Sequence, residues 1–184
     1  MDFSNEQKLI VTLLTEIHAA LNIKNGIDPD FVQDKVCSGD TWALYMQYPG
    51  IFEKAPGLPA NVKFVANVLD LFTRLERSYE SLSAPEKAEL EDQSPIHGKD
   101  VSFKGFDGNG GDRNGYSTTE TFVNQMGRWS NFKGRGFNSH MPSSEIYDRM
   151  LNAYDSLNKN NTPWEFSVDE MAHILNAAIH PDNR

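Results

Sequence analysis

The sequence predicts a mainly α protein, a single-domain helical bundle of seven to eight helices with at most a short two-strand ribbon. Three observations predict it. Apolar residues recur at three- and four-residue steps through most of the chain, serine-led capping signatures open three of those stretches, and only two short segments alternate as strands do.

Taken in order, Ser4 with Gln7 three residues later forms the first capping signature. Leu9, Ile10, Leu13, Leu14, Ile17 and Leu21 follow at helical spacing to a stop at Asn25-Gly26. Asp28-Pro29 starts a second helix carrying Phe31, Val32 and Val36 to Ser38-Gly39. Asp40 restarts a short helix through Trp42, Leu44, Tyr45 and Met46, closed by Pro49-Gly50. Residues 51–58, with Pro56 and Gly57, read as a connector. Pro59 then opens the longest periodic segment, in which Val62, Val65, Val68, Leu69, Phe72, Leu75, Tyr79 and Leu82 mark one apolar stripe.

Ser83 and Glu86 form a second capping box, opening a short acidic helix to about Asp92. Residues 93–100, with Pro95 and Gly98, read as a linker between an N-terminal helical part (1–92) and a C-terminal part (101–180) of one domain spanning 1–184. Val101, Phe103 and Phe106 alternate as a brief strand, which needs a partner, and Trp164-Glu165-Phe166 is the expected one. Residues 108–115 are rich in glycine and asparagine and predict a loop, after which Ser117 or Thr118 caps a helix carrying Phe122, Val123 and Met126. Pro142-Ser143 starts a helix with Ile146, Tyr147, Met150, Leu151, Tyr154 and Leu157, broken at 158–163. Ser167 with Glu170 caps the last, with Met171, Ile174, Leu175 and Ile179.

Composition bounds the function. The 184 residues carry 17 Lys and Arg against 26 Asp and Glu, a net charge of −9, and are 39% hydrophobic, enough apolar mass to fold. No apolar run approaches the ~18 residues of a membrane span. Asp2, Glu6 and Glu16 interrupt the first 25 residues, where a signal peptide would be basic and then apolar. The expectation is a soluble cytoplasmic protein. The single Cys37 excludes an internal disulfide and a multi-cysteine zinc site, and its helical setting predicts a core position.

Asp107-Gly-Asn-Gly-Gly-Asp112 begins like a calcium loop, but Gly111 takes the fifth position, Asp112 the obligatory glycine and Thr118 the bidentate glutamate, so an ordinary polar turn is expected. Phosphate-cradle and dinucleotide fingerprints fail as well, as does metalloprotease spacing among His18, His97, His140, His173 and His180. No metal and no cofactor is expected. His97 and His140 fall in loops, where binding residues concentrate. Charge is uneven: residues 101–140 hold Lys104, Arg113, Arg128, Lys133 and Arg135 against Asp107, Asp112 and Glu120, a net of +2 in a chain of −9. Within this region Arg128-Trp129, Phe132-Lys133, Arg135 and Phe137-Asn138 interleave cations with rings, the composition single-stranded nucleic acid needs. The favoured alternative anchors the rings in the core and leaves the charges in water, since a net −9 repels a polyanion.

The stretches Val101-Ser-Phe-Lys-Gly-Phe-Asp107, Phe137-Asn-Ser-His140 ahead of Pro142, and Tyr147-Asp-Arg-Met-Leu-Asn152 resemble the YfbU family of bacterial proteins, most clearly from about residue 57 to 178. The resemblance implies a mainly helical, one-domain cytoplasmic bacterial protein with no assigned activity, so no catalytic residue carries over. Gly105, Phe106, Asp107, Phe137, Asn138, His140, Tyr147, Arg149, Met150 and Leu151 match its motifs.

The leading reading is a helical binding or interaction module whose surface gathers the loops around Asp107 and His140, with Arg128, Trp129, Arg135, Asn138 and Arg149 as further candidate binding residues. Its partner is a protein or a second copy of the chain, self-association being argued from Trp42, Tyr45 and Tyr48. The alternative is an RNA-binding protein or metal-independent ribonuclease with His140 as general base and Arg128, Arg135 or Arg149 on the phosphate. A helix-turn-helix at residues 29–48 ranks last, offering Lys35 as its only cation.

Overall fold

A computed structural model describes residues 2–52, 57–157 and 164–183. The connector at Pro56 and the helix break at 158–163 lie outside the described residues. Eight α-helices form, with no sheet among the described residues. The chain divides into two compact units, residues 1–59 and 60–184. Residues 93–100, read as a linker, lie within the second unit and fold back on the helix before them. Gly98 sits so close to it that a Cβ there would lie 2.6 Å from the Leu90 carbonyl oxygen.

The first unit holds α1 (Asn5–Ala20), α2 (Pro29–Ser38) and α3 (Trp42–Gln47). The expected caps form: Ser4 Oγ accepts from Gln7 N, and Asp28 Oδ1 accepts from Asp30 N and Phe31 N. The α1 face that packs on α2 is its polar one. Lys8 Nζ donates to the Cys37 carbonyl at 3.2 Å, and Thr15 Oγ1 donates to Gln33 Oε1 at 2.7 Å. The apolar stripe therefore faces outward, with no buried residue anywhere in α1. Two expectations reverse here. Cys37 is exposed because it sits at the helix end, and Trp42 is buried, with its indole N–H on Asp40. Lys35, the sole cation of the helix-turn-helix reading, is buried and paired with Asp34 at 2.8 Å, so it is withdrawn from any phosphate.

The second unit is built on α4 (Ala60–Ser81), joined by α5 (Ala84–Gln93), α6 (Arg113–Glu120), α7 (Ser144–Ser156) and α8 (Val168–Ala177). The predicted stripe holds: Val62, Val65, Val68, Leu69, Phe72 and Leu75 are buried. Phe103 is the hub of the core, its ring lying 5.4 to 6.2 Å from those of Phe72, Phe106, Phe132, Phe137 and Tyr147. Such edge and tilted contacts add to what burial alone contributes. Helix α6 is led by Asp112, five or six residues before the expected caps Ser117 or Thr118. Gly115 is inside it, so close to the Phe106 ring that a Cβ would stand 2.6 Å from the nearest ring carbon. It runs on as one wide turn over Thr121–Gln125.

The expected pairing of 101–106 with Trp164–Phe166 does not form. Phe106 instead makes an isolated parallel bridge with Asn138. The 164–166 stretch is held elsewhere: the Phe166 N–H donates to Ser78 Oγ at 2.9 Å, and the Arg74 guanidinium lies 3.8 Å from the centre of the Phe166 ring.

Candidate functional site

Three motif stretches, 101–107, 137–140 and 147–152, meet in the second unit. The Phe106 N–H donates to the Phe137 carbonyl at 2.8 Å, and the Ser139 N–H donates back to the Phe106 carbonyl at 3.1 Å. Only glycine fits just before this bridge. Gly105 has φ +85°, and a Cβ there would stand 1.9 Å from the Phe137 carbonyl oxygen. The Gly105 carbonyl takes two buried hydroxyls, Ser143 Oγ at 3.0 Å and Tyr147 Oη at 2.8 Å. Burial pushes the Tyr147 phenol well above its ordinary pKa, so it stays a donor.

Asn138 ties the loops together. Its Oδ1 accepts from Gly108 N and His140 N, each at 3.0 Å. That second bond holds His140 in the left-handed region at φ +55°, unusual for a residue with a side chain. The exposed His140 ring meets the Asn109 amide, Nδ1 to Nδ2, at 3.2 Å. Asp107 lies beneath, buried, its Oδ1 accepting from Asn109 N at 2.9 Å, so the carboxylate shapes its own turn. Asp107, Asn138 and His140 are thus brought into one cluster.

Asp112 closes the other side. Its Oδ2 accepts from Ser144 N at 3.0 Å and also from Ser143 N, capping α7 from 31 residues away. Desolvation alone would raise its pKa. The hydrogen bonds from Ser143 and Ser144 outweigh it and leave the carboxyl below the ordinary aspartate value.

Beside the cluster opens a cleft of about 500 Å³ that shares Asn138 and Ser139 with it. Its floor is apolar, with Val101, Ile146, Met150 and Leu175, and its rim carries His97, Asp100, Lys104 and the exposed Met141. Burial holds the His97 imidazole below its ordinary pKa and so favours its neutral form. Lys104 and Ser102 both donate to Asp100 and keep that carboxyl low, fixing a charge pair at the entrance.

The remaining candidates lie apart from the cluster. Trp129 Nε1 donates to Asp70 at 2.7 Å, Asn131 Nδ2 to Thr73 at 3.2 Å, and the Arg135 fork to both oxygens of Glu76 at 2.8 and 2.9 Å. Residues 128–135 are therefore a strap along one row of α4. Phe132 and Phe137 are fully buried and present no ring face to a base. Arg128 is exposed, its backbone N–H on the Phe122 carbonyl. Arg149 donates to the Ala177 and Ala178 carbonyls at 3.1 and 2.7 Å, so it caps the end of α8. No group of three or more metal-ligating side chains is gathered among the described residues.

Sequence reasoning missed Lys104, Met141, Ile146 and the capping role of Asp112. Only His97, a histidine in a loop, gave a signal. Cleft walls drawn from four separate segments have no spacing to read.

A search of curated proteins finds no match to the chain. The family match runs from the first residue and so takes in the first unit, where the motif stretches are absent. A family model described as a YfbU domain matches residues 1–177 of the 184, and the chain belongs to the YfbU family.

Proposed function

We propose that this chain is a cytoplasmic binding module, acting as one domain over residues 1–184, whose recognition surface is the joined Asp107 and His140 loops together with the adjoining cleft. One observation carries the reading: Asn138 is at once the tie between the loops and part of the cleft wall, so an exposed polar edge and an apolar hollow form one continuous surface. A protein partner that seats an apolar side chain among Met141, Ile146 and Met150 and hydrogen-bonds to the rim fits it, methionine being suited to adaptable contacts. The exposed single thiol of Cys37 accords with a reducing compartment.

The test is affinity capture with the wild-type chain and with His140→Ala/Met141→Ala. Both side chains are exposed, so helix content and melting temperature stay unchanged while a specific partner present with wild type is lost. Capture of the same proteins by both forms overturns the reading. Two of the three arginines of the ribonuclease alternative, Arg135 and Arg149, are committed to Glu76 and to α8 rather than placed around His140, which favours the binding reading over it. Labelled RNA left intact at micromolar protein, with and without chelator, would close it.

A further inference from the structure

We propose that the outer face of α1 is a dimer interface, occupied by the same face of a second copy of this chain in antiparallel orientation. The reading rests on a different element from the loop site and is tested apart from it. Leu9, Ile10, Leu13, Leu14, Ile17 and Leu21 are each between 52 and 67% exposed. They share one face of the helix, while Lys8, Thr12 and Thr15 on the other face make the contacts to α2. An amphipathic helix that turns its polar side inward leaves a patch larger than a monomer ordinarily exposes.

The size and chemistry of the stripe favour a second copy. Six half-exposed aliphatic side chains at roughly 100 Å² each make roughly 600 Å², the greater part of the ~800 Å² per partner of a standard interface. A two-fold axis beside Leu13 and Leu14 sets Ile10 against the partner's Ile17 at the centre of both stripes, the self-complementary pairing that a symmetric dimer requires. Antiparallel helices also oppose their dipoles. A lipid surface fits poorly. Glu6 and Glu16 lie on or beside the stripe, and Lys8 points to α2, whereas anionic headgroups select helices with a basic polar face.

The experiment is light scattering and sedimentation equilibrium of the full chain, wild type against Leu13→Glu/Ile17→Glu. Wild type gives twice the 20.7 kDa chain mass at micromolar concentration. The variant keeps its helix content, because neither side chain is buried, and its dissociation constant rises at least ~100-fold through facing like charges and lost apolar contact. A second arm covers a variant that fails to fold. With Cys37→Ser as background, Leu13→Cys gives a disulfide-linked dimer under mild oxidation and Val11→Cys, on the α2 side, does not. A wild-type monomer at 100 µM or more, an unaltered mass in the charged variant, or equal cross-linking at positions 11 and 13 overturns the proposal.

Discussion

Asn138 and Glu76 do the most per atom. One oxygen of Asn138 serves two backbone donors from two loops, so Asn138→Ala leaves Gly108 N and His140 N unserved. A loss of about 2 kcal/mol in urea unfolding is the expected outcome. Glu76 accepts from the buried Phe103 N–H at 2.8 Å and pairs with the Arg135 fork. Glu76→Ala removes both at once, and because Arg135 stays partly in water the expected loss is again about 2 kcal/mol rather than the larger cost of breaking a fully buried pair. Asp112 sets an acid limit. Its folded pKa lies below its unfolded value, so its contribution is complete above the unfolded value of 3.8 and is lost as pH falls through the lower folded value. In Asp112→Ala, stability at pH 7 drops by about 1 kcal/mol, and unfolding curves taken between pH 5 and 2 show a shallower decline than wild type.

At the scale of elements, what could be read from the chain was what neighbouring residues decide. The capping boxes at Ser4, Ser83 and Ser167 all form, because each joins residues three apart. The α4 stripe is buried as spaced. The failures are contacts between distant residues. A run of glycines predicts a loop, whereas Gly115 is helical and the Phe106 ring, placed by another segment, leaves no room for a side chain there. Gly115→Ala therefore destabilises by about 1–3 kcal/mol in the same unfolding measurement, where an exposed helical glycine would gain from alanine. Likewise the expected partner of the 101–106 stretch, Trp164-Glu165-Phe166, is not the one it takes, since pairing at this length is fixed by the surrounding aromatic core, which sets Phe106 against Asn138. In α1 the helical periodicity is borne out, and the stripe it marks faces outward. Amphipathic spacing marks a face that seeks a partner without saying whether the partner is within the chain.

Over the whole molecule, the second unit is organised around one ring, and Phe103→Ala should cost about 3–5 kcal/mol and loosen the site with it, since Phe106, Phe137 and Tyr147 all lean on that side chain. Of the candidate residues, Asp107, Asn138 and His140 do lie together, as the polar groups beside aromatic anchors in both loops suggested. The strap at 128–135 was legible only as a composition, and its docking on α4 depends on Asp70, Thr73 and Glu76, which nothing in the strap announces. Among the described residues no helix is long and apolar enough to cross a membrane. The account turns on two distant loops forming one surface, and native-state hydrogen exchange at three amides tests it most directly. Phe106, Gly108 and Ser139 should all exchange slowly in wild type, and Asn138→Ala should release Gly108 while Phe106 stays protected. Free exchange at all three amides in the folded wild-type protein would contradict it.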